Sequence, residues 1–428
     1  MFRRTLATVA TAAAVVASLV ACADQPTAPS ASNRRSTTAS DETAVTPRTV
    51  RQLAASRGLV PLERPRHIRP ALVRLGQALA FDKILSGNRD VACTTCHLPA
   101  FETSDGRSLS IGSGGIGLGP QRTQPNGVLI ARNAPPFFDL GGMRHLFWDG
   151  RVQLDSKGRV QTPAGHRLTP RMQRVFEFGA VSALGMFPVT SRAEMRGDGG
   201  NELAAIPDAD VDRIWAGLMR RLGAIPEYRR MFEAAYPGTP FSEMTFAHAS
   251  NAIGAFIVDR MTFANAPWDR FLRGDDDALT PRQLEGAETF LTLKCAICHD
   301  GATLSDDQFH DVAVAQIGPG EGNGASLRDD FGRMNVTGDP ADRYRFRTSP
   351  LRNVELTGPY GHDGAYPTLR SFVEHYSESD QRLLSFDPSQ LDPASQGTLL
   401  DNAQDVLAQR DTLLNGVVLS PEVVDKLM

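Results

Sequence analysis

Two five-residue segments, Cys93-Thr-Thr-Cys96-His97 and Cys295-Ala-Ile-Cys298-His299, carry thiols and imidazoles at one repeated spacing. A Cys-x-x-Cys pair could form a redox-active disulfide, but that chemistry gives no reason for a histidine after both pairs. A single zinc site of four thiolates would leave both histidines unexplained, and its halves would stand 202 residues apart (295 minus 93). Cys-x-x-Cys-His is the attachment signature of c-type haem: the thiols add to the two vinyl groups and the adjacent imidazole becomes the proximal iron ligand. Two copies therefore predict two covalent haems, held by Cys93 and Cys96 with His97, and by Cys295 and Cys298 with His299.

The fifth cysteine, Cys22, belongs to a different context. Arg3 and Arg4 precede an apolar stretch that stops at Cys22, the build of an export signal over residues 1–22, too short for a spanning helix. Leu19-Val20-Ala21-Cys22 resembles the bacterial lipobox, whose cysteine becomes the lipidated N-terminus; an ordinary cleaved signal is the alternative. The expected location is the periplasmic side of a bacterial membrane, with a lipid anchor on Cys22. Residues 23–50 are rich in Ser, Thr, Ala and Pro and read as a flexible tether.

A chain of 428 residues exceeds what one typical core supports. The expected units are an N-terminal haem domain over 51–265 and a C-terminal haem domain over 266–428. A formal net charge of -4 with interspersed signs excludes a field suited to nucleic acid or an anionic membrane.

The elements that must position the two motifs read mostly as helices. Leu72, Leu75 and Leu79 repeat at helical spacing before the first motif. Before the second, Thr280, Pro281 and Gln283 form a capping box with proline at the first helical position. Helix followed by Cys-x-x-Cys-His thus recurs as a weak internal repeat. Ile214, Leu218 and Leu222 mark another helix, residues 246–261 a further one, and 399–416 a last one. Strand alternation is scarce. The fold class expected is mainly α, with two cytochrome c-like haem domains packed so that the haems face an interdomain region. The Gly-rich stretch from Gly112 to Gly127 lacks the Lys-Ser or Lys-Thr of a phosphate-binding loop.

From Leu75 to Tyr376 the segments "LGQALAFDKILSGNRDVACTTCH", "SIGSGG", "ARNAPP", "LFWDGR", "FPVTSRAEMRG" and "TSPLRNVELTGPYGHDGAYPTLRSFVEHY" occur in an order that resembles the bacterial di-haem cytochrome c peroxidase and MauG family. The resemblance implies that the His97 haem reacts with hydrogen peroxide and the His299 haem relays electrons, supplied by a small c-type cytochrome or a similar periplasmic donor. It also implies Glu194 as the proton-transfer residue with Pro188 beside it, and Trp148 as the aromatic ring between the haems. Many members block the active haem with a histidine of the Gly-rich loop; here Ser113 stands at that place, which implies an open site. Leu184 replaces a glutamine of some relatives. Asn133, Thr357 and Pro359 match positions that hold a calcium ion in peroxidase relatives. A homodimer is the oligomeric state expected here.

The resemblance leaves the sixth ligand of the relay haem open between methionine, as in the peroxidases, and tyrosine, as in MauG. Leu369, Phe372, Val373 and Tyr376 fall on one helical face, so Tyr376 is the expected ligand. His375 is turned away by roughly 100°, and His362 reads as a turn residue near the haem edge. The implied activity is peroxide reduction to water. The rivals are a MauG-like oxidase that turns the same oxidising power on a protein or small molecule, and a di-haem electron carrier that is no enzyme.

Overall fold

The computed structural model describes residues 45–125 and 128–428; the export signal, Cys22 and residues 23–44 of the tether lie outside the described residues. Ordered structure begins earlier than expected. Residues 47–50, assigned above to the tether, open helix α1 (Pro47–Ser56), because Thr46 caps the backbone NH of Thr49 at 3.2 Å and Pro47 occupies the first turn. Val50 and Ala54 are buried by this helix against Phe271, Leu284 and Leu291. The first described helix therefore belongs to the core built around the second haem motif, not the first.

Helix α2 (Pro70–Phe81) buries Leu72, Leu75 and Leu79 and leads toward helix α3 (Cys93–Cys96), the single turn that carries the first thiol pair. Helix α4 (Val211–Gly223) buries Ile214, Leu218 and Leu222 in the same core. The axis of that core is helix α5 (Phe246–Arg260), buried on nearly every face, as expected for a helix apolar all round. Helix α2 crosses α5 at Gly76, where a Cβ would overlap the Ala252 carbonyl.

Helix α6 (Pro281–Thr292) starts with the reciprocal cap read from the sequence: Thr280 NH donates to Gln283 Oε1 at 2.9 Å and Gln283 NH to Thr280 Oγ1 at 3.3 Å. It delivers the chain to helix α7 (Cys295–Cys298), the second thiol-bearing turn. Helix α8 (Leu369–His375) lies further on, and helix α9 (Pro421–Leu427) returns to pack on α6.

Sheet is confined to two small pieces among the described residues. Strands His145–Leu146, Val152–Leu154 and Val160–Gln161 form an antiparallel ribbon with His145 opposite Gln153 and Leu154 opposite Val160. Phe309–His310 pairs antiparallel with Phe346–Arg347, so His310 faces Phe346. The helix expected over 399–416 shrinks to Ala403–Leu407 and a turn at Thr412–Leu414. Tertiary bonds override propensity there. Asp411 NH donates to the Asp311 carbonyl at 2.9 Å and its carboxylate holds His310 at 2.7 Å, which pulls the chain out of helical register.

Gly76→Ala is expected to lower stability by about 1–3 kcal/mol, the usual cost of overpacking a tight core, read as a reduced denaturation midpoint. An unchanged midpoint would mean that the α2–α5 crossing can open without cost.

Candidate functional site

The two thiol-bearing turns are built alike. In each, the histidine caps its turn with its NH on the carbonyl of the first cysteine at 3.0 Å, His97 on Cys93 and His299 on Cys295. Their backbones agree closely, with φ -105 and ψ 63 at His97 and φ -107 and ψ 69 at His299. Each ring is fixed through Nδ1, which donates to a carbonyl: Thr103 at 3.0 Å for His97 and Leu304 at 2.9 Å for His299. That bond sets the tautomer and leaves the lone pair on Nε2, the nitrogen a metal needs. Burial lowers the pKa of both rings, to about 4 for His97, which keeps them neutral. Phe137 stacks on His97 at 3.8 Å between ring centres.

All four cysteines are free thiols, and burial pushes Cys93 up to about 11 and Cys96 to about 12. Such thiols are poor nucleophiles and poor disulfide exchangers, so the Cys93–Cys96 pair does not suit thioredoxin-like chemistry. The four are also split between two turns, which removes the single zinc site.

A cavity of about 600 Å³ opens beside Cys295, Cys298 and His299, within the size range of cofactor sites. Its wall is mostly apolar, with Leu369, Phe372, Val373 and Tyr376 along α8. Two attachment thiols, a neutral imidazole with its far nitrogen tethered and an apolar chamber are what a covalent haem requires, so the residues present fit that group.

Tyr376 lines this cavity, and burial pushes its phenol above the ordinary range, so only an adjacent positive charge would make it anionic. His375, its neighbour, has both ring nitrogens engaged: Nδ1 with the Tyr366 hydroxyl at 2.6 Å and Nε2 with the Val312 carbonyl at 2.7 Å. His362 also lines the cavity, flat against Phe346 at 3.6 Å, and its carbonyl accepts from Asn133 NH. His310 sits at the edge, its ring held by Asp306 at 3.0 Å and Asp411 at 2.7 Å, which raises its pKa to about 11. No local pattern announces this clamp, because its carboxylates come from 4 and 101 residues away from His310.

Asn133 is a junction. Its carbonyl accepts from Trp148 Nε1 at 2.9 Å, and Asn133, Pro135, Pro136 and Trp148 line the His299 cavity while Phe137 of the same segment stacks on His97. Thr357 and Pro359 line that cavity as well. The Asn133 amide nitrogen donates to the Arg107 carbonyl at 2.8 Å, so its amide oxygen is the atom left for a cation.

The tight turn after His145–Leu146 sends consecutive residues to different tasks. Trp148 faces the cavity, Asp149 pairs with Arg132 at 2.6 Å, and Arg151 lies 3.8 Å from Glu194 and over the Phe147 ring. Gly150 makes the turn possible: its φ is +69°, and a Cβ would strike Phe309.

Glu194 sits in one π-helical turn, Arg192–Arg196, with its NH capped by Ser191 Oγ at 3.2 Å; Ser191 NH in turn reaches the Pro188 carbonyl at 3.2 Å. Leu184 packs on the core nearby. Burial raises the Glu194 pKa, and Arg151 only partly offsets it. Its charge is near enough to Cys93 and Cys96 to push both thiols further up. Against this turn lies the Gly-rich loop, with Ser113 NH on the Ala193 carbonyl at 3.1 Å. Ser113 Oγ and Gly114 NH both bond to the Asp90 carboxylate, at 3.1 and 2.6 Å. Arg122 holds the same loop through the carbonyls of Ile111 and Gly112. Asp90, Arg122 and Arg151 were missed from the sequence, although each stands inside or beside a segment that drew attention.

A mainly helical protein with two c-type haem-attachment turns defines a di-haem cytochrome class. Comparison with known proteins agrees: the family model described as di-haem cytochrome c peroxidase matches residues 70–277, and the chain is similar to that family of oxidoreductases. It is 28% identical over 325 residues to the methylamine utilization protein MauG of Methylorubrum extorquens, covering 76% of this chain and 73% of MauG. It is 31% identical over 303 residues to the cytochrome c peroxidase Ccp of Escherichia coli, covering 71% of this chain and 52% of the relative. Among solved structures, a MauG-like protein associated with microbial copper homeostasis aligns with a TM-score of 0.58 at 25% identity, covering 86% of this chain and 91% of that one. The diheme peroxidase BthA of Burkholderia thailandensis aligns with a TM-score of 0.56 at 19% identity, covering 84% and 85%, a likeness of fold. Likeness to that family implies two haems.

Replacing Cys295 and Cys298 together by alanine is expected to halve the covalently bound haem, measured by intact mass and by the haemochrome assay. Retention of two covalent haems would contradict the assignment of this turn.

Proposed function

We propose that the protein is a periplasmic di-haem c-type peroxidase that reduces hydrogen peroxide to water with electrons from a small c-type cytochrome or similar donor. The observation that carries this reading is Glu194: a half-buried carboxyl with a raised pKa, beside the Cys93–Cys96 turn, with a guanidinium 3.8 Å away. Cleaving peroxide requires a proton to leave one oxygen and reach the other, and a carboxyl whose pKa is raised by burial can accept that proton and return it. When bound through Cys93, Cys96 and His97 and through Cys295, Cys298 and His299, the haems supply the redox-active iron. His97 and His299 would hold those irons through Nε2, the nitrogen their Nδ1 bonds leave free. Pro188 and Ser191 fix the Glu194 turn, and Trp148 occupies the wall toward the second site. Ser113 offers no strong iron ligand, and Asp90 keeps its hydroxyl occupied. The peroxide-handling half corresponds to 51–265 and the relay half to 266–428, with α1 lending its apolar face to the latter.

A second reading, a MauG-like oxidase acting on a protein or small molecule, is favoured by Tyr376. A phenolate ligand stabilises oxidised iron at the expense of easy reduction. A calcium ion on Asn133, Thr357 and Pro359 would stiffen the junction between the sites. Lipid on Cys22 would tether the protein to its membrane, and a homodimer is the proposed assembly. Among the described residues no helix is long and apolar enough to cross a membrane.

Glu194→Gln is expected to lower the kcat of peroxide consumption by about 10²–10⁴-fold with both haems retained; an unchanged kcat would overturn the proposal. Tyr376→Phe is expected to raise the reduction potential of the second haem, followed by spectroelectrochemistry. A potential and spectrum unmoved by that change would remove the second reading.

A further inference from the structure

Glu194 does not stand alone. It belongs to a charge network that crosses from the first half of the chain to the second. Arg132 is buried and forked onto Asp330, Nε at 2.6 Å and Nη2 at 2.8 Å, with Nη1 on Asp149 at 2.6 Å. Asp149 also accepts from Arg151 at 3.2 Å. Two guanidiniums and two aspartates balance. Arg333 faces the same turn but donates to the carbonyls of Asp149 and Gly150 and to Gln153. Two further titratable groups neighbour Asp330: His362, kept neutral by burial with its pKa pushed down to about 3, and Asp363, whose pKa burial raises to about 8.

Two further carboxyls touch this balanced core. Glu194 approaches Arg151 at 3.8 Å, and Glu321 approaches Arg132 at 4.0 Å. With the arginines already neutralised, these two are surplus, and ionisation of either opposes ionisation of the other. Their surroundings differ in one respect that matters. The Glu321 side chain is 42% exposed, against 22% for Glu194.

The chain invests in placing Glu321. It sits in Gly318-Pro-Gly320-Glu-Gly322-Asn-Gly324, where all four glycines have positive φ. A Cβ at Gly320 would overlap the Arg328 carbonyl, and one at Gly318 would strike Leu109, just ahead of the Gly-rich loop. Glu321 NH and Asn323 NH both donate to the Asp329 carbonyl, at 3.1 and 3.2 Å. This loop carries a carboxyl from the second half of the chain to the network that holds Glu194.

We propose that Glu321 is the solvent-side member of a two-carboxyl proton relay that recharges Glu194. The proposal rests on the peroxidase reading above. Reduction of one peroxide to two waters consumes two electrons, from the cytochrome donor, and two protons, from bulk water. Glu194 moves the proton of the first peroxide oxygen to the departing one, which leaves as water; the two protons from bulk water enter at Glu321, pass through intervening water to Glu194 and, with the two donor electrons, turn the retained oxygen into the second water. Arg132 and Arg151 keep their protons throughout and hold the two carboxyls in place. Burial raises the pKa of both carboxyls, Glu321 raises that of Glu194 further, and both feel the same two guanidiniums, Arg132 and Arg151.

The test is the pH dependence of cyanide association with the oxidised haem protein, a readout of the ionisation of a distal base that involves no turnover, combined with the solvent isotope effect on peroxide reduction. In Glu321→Gln a nearby negative charge is gone, so Glu194 ionises more readily and the midpoint of the cyanide profile is expected to move to lower pH. The same variant is expected to slow peroxide reduction and enlarge its solvent isotope effect, with Glu321→Asp recovering part of the rate. If Glu194→Gln abolishes peroxide reduction while Glu321→Gln moves neither the midpoint nor the isotope effect, the relay is overturned and the peroxidase reading stands. If Glu194→Gln leaves peroxide reduction intact, both fall together.

Discussion

Much of the molecule depends on one buried cation. Arg132 is 7% exposed and is bonded to Asp149 and Asp330, partners 17 and 198 residues away. Removing one side of such a cluster leaves an uncompensated buried charge, at a cost of about 3–5 kcal/mol. The cluster therefore fixes the relation between the segment 132–138, the turn at 147–151 and the loops after Ile317. The next residue, Asn133, uses its backbone to hold Trp148 and His362. Four residues further on, Phe137 supports the His97 ring. The same charge pairing thus sets the wall of one haem site and the face of the other.

The two attachment turns are nearly identical, whereas what surrounds them is not. Around His299 the α8 face presents Tyr376 and the cavity is walled by apolar side chains. Around His97 the neighbours are a carboxyl, a guanidinium and a glycine loop fastened by Asp90 and Arg122. An identical covalent anchor can in this way be given two roles, because environment and not the anchor decides which groups reach the metal. The proposed division between a peroxide-handling site and a relay site rests on those second layers.

What could be read from the sequence was what local patterns encode. The capping box at Thr280, the apolar stripe of α2 and the two Cys-x-x-Cys-His turns all depend on residues within one or two turns of each other. The apolar stripe Leu369, Phe372, Val373 and Tyr376 was legible for the same reason. What could not be read depends on distant partners. Nothing near Val50 indicates that α1 would bury it against Leu284, and nothing near Asp411 indicates that His310 would unwind a helix there. Glu321 has the look of a solvated loop acid in a run of glycines. Only the Arg132 cluster, assembled from residues hundreds of positions apart, brings it to Glu194. Ser113 could be read as a missing histidine, but not as a hydroxyl held by Asp90.

In the proposed mechanism the site beside His97 is open to peroxide in the resting protein, because Asp90 and Arg122 fasten a loop that carries serine and no histidine. The direct measurement is rapid mixing of the fully oxidised di-haem protein with hydrogen peroxide, without reductant, followed by absorption and by low-temperature spin-resonance spectra. The account predicts an immediate spectral change that is first order in peroxide and is lost in Glu194→Gln. A six-coordinate, low-spin spectrum at both haems that ignores peroxide until one electron is added would contradict it.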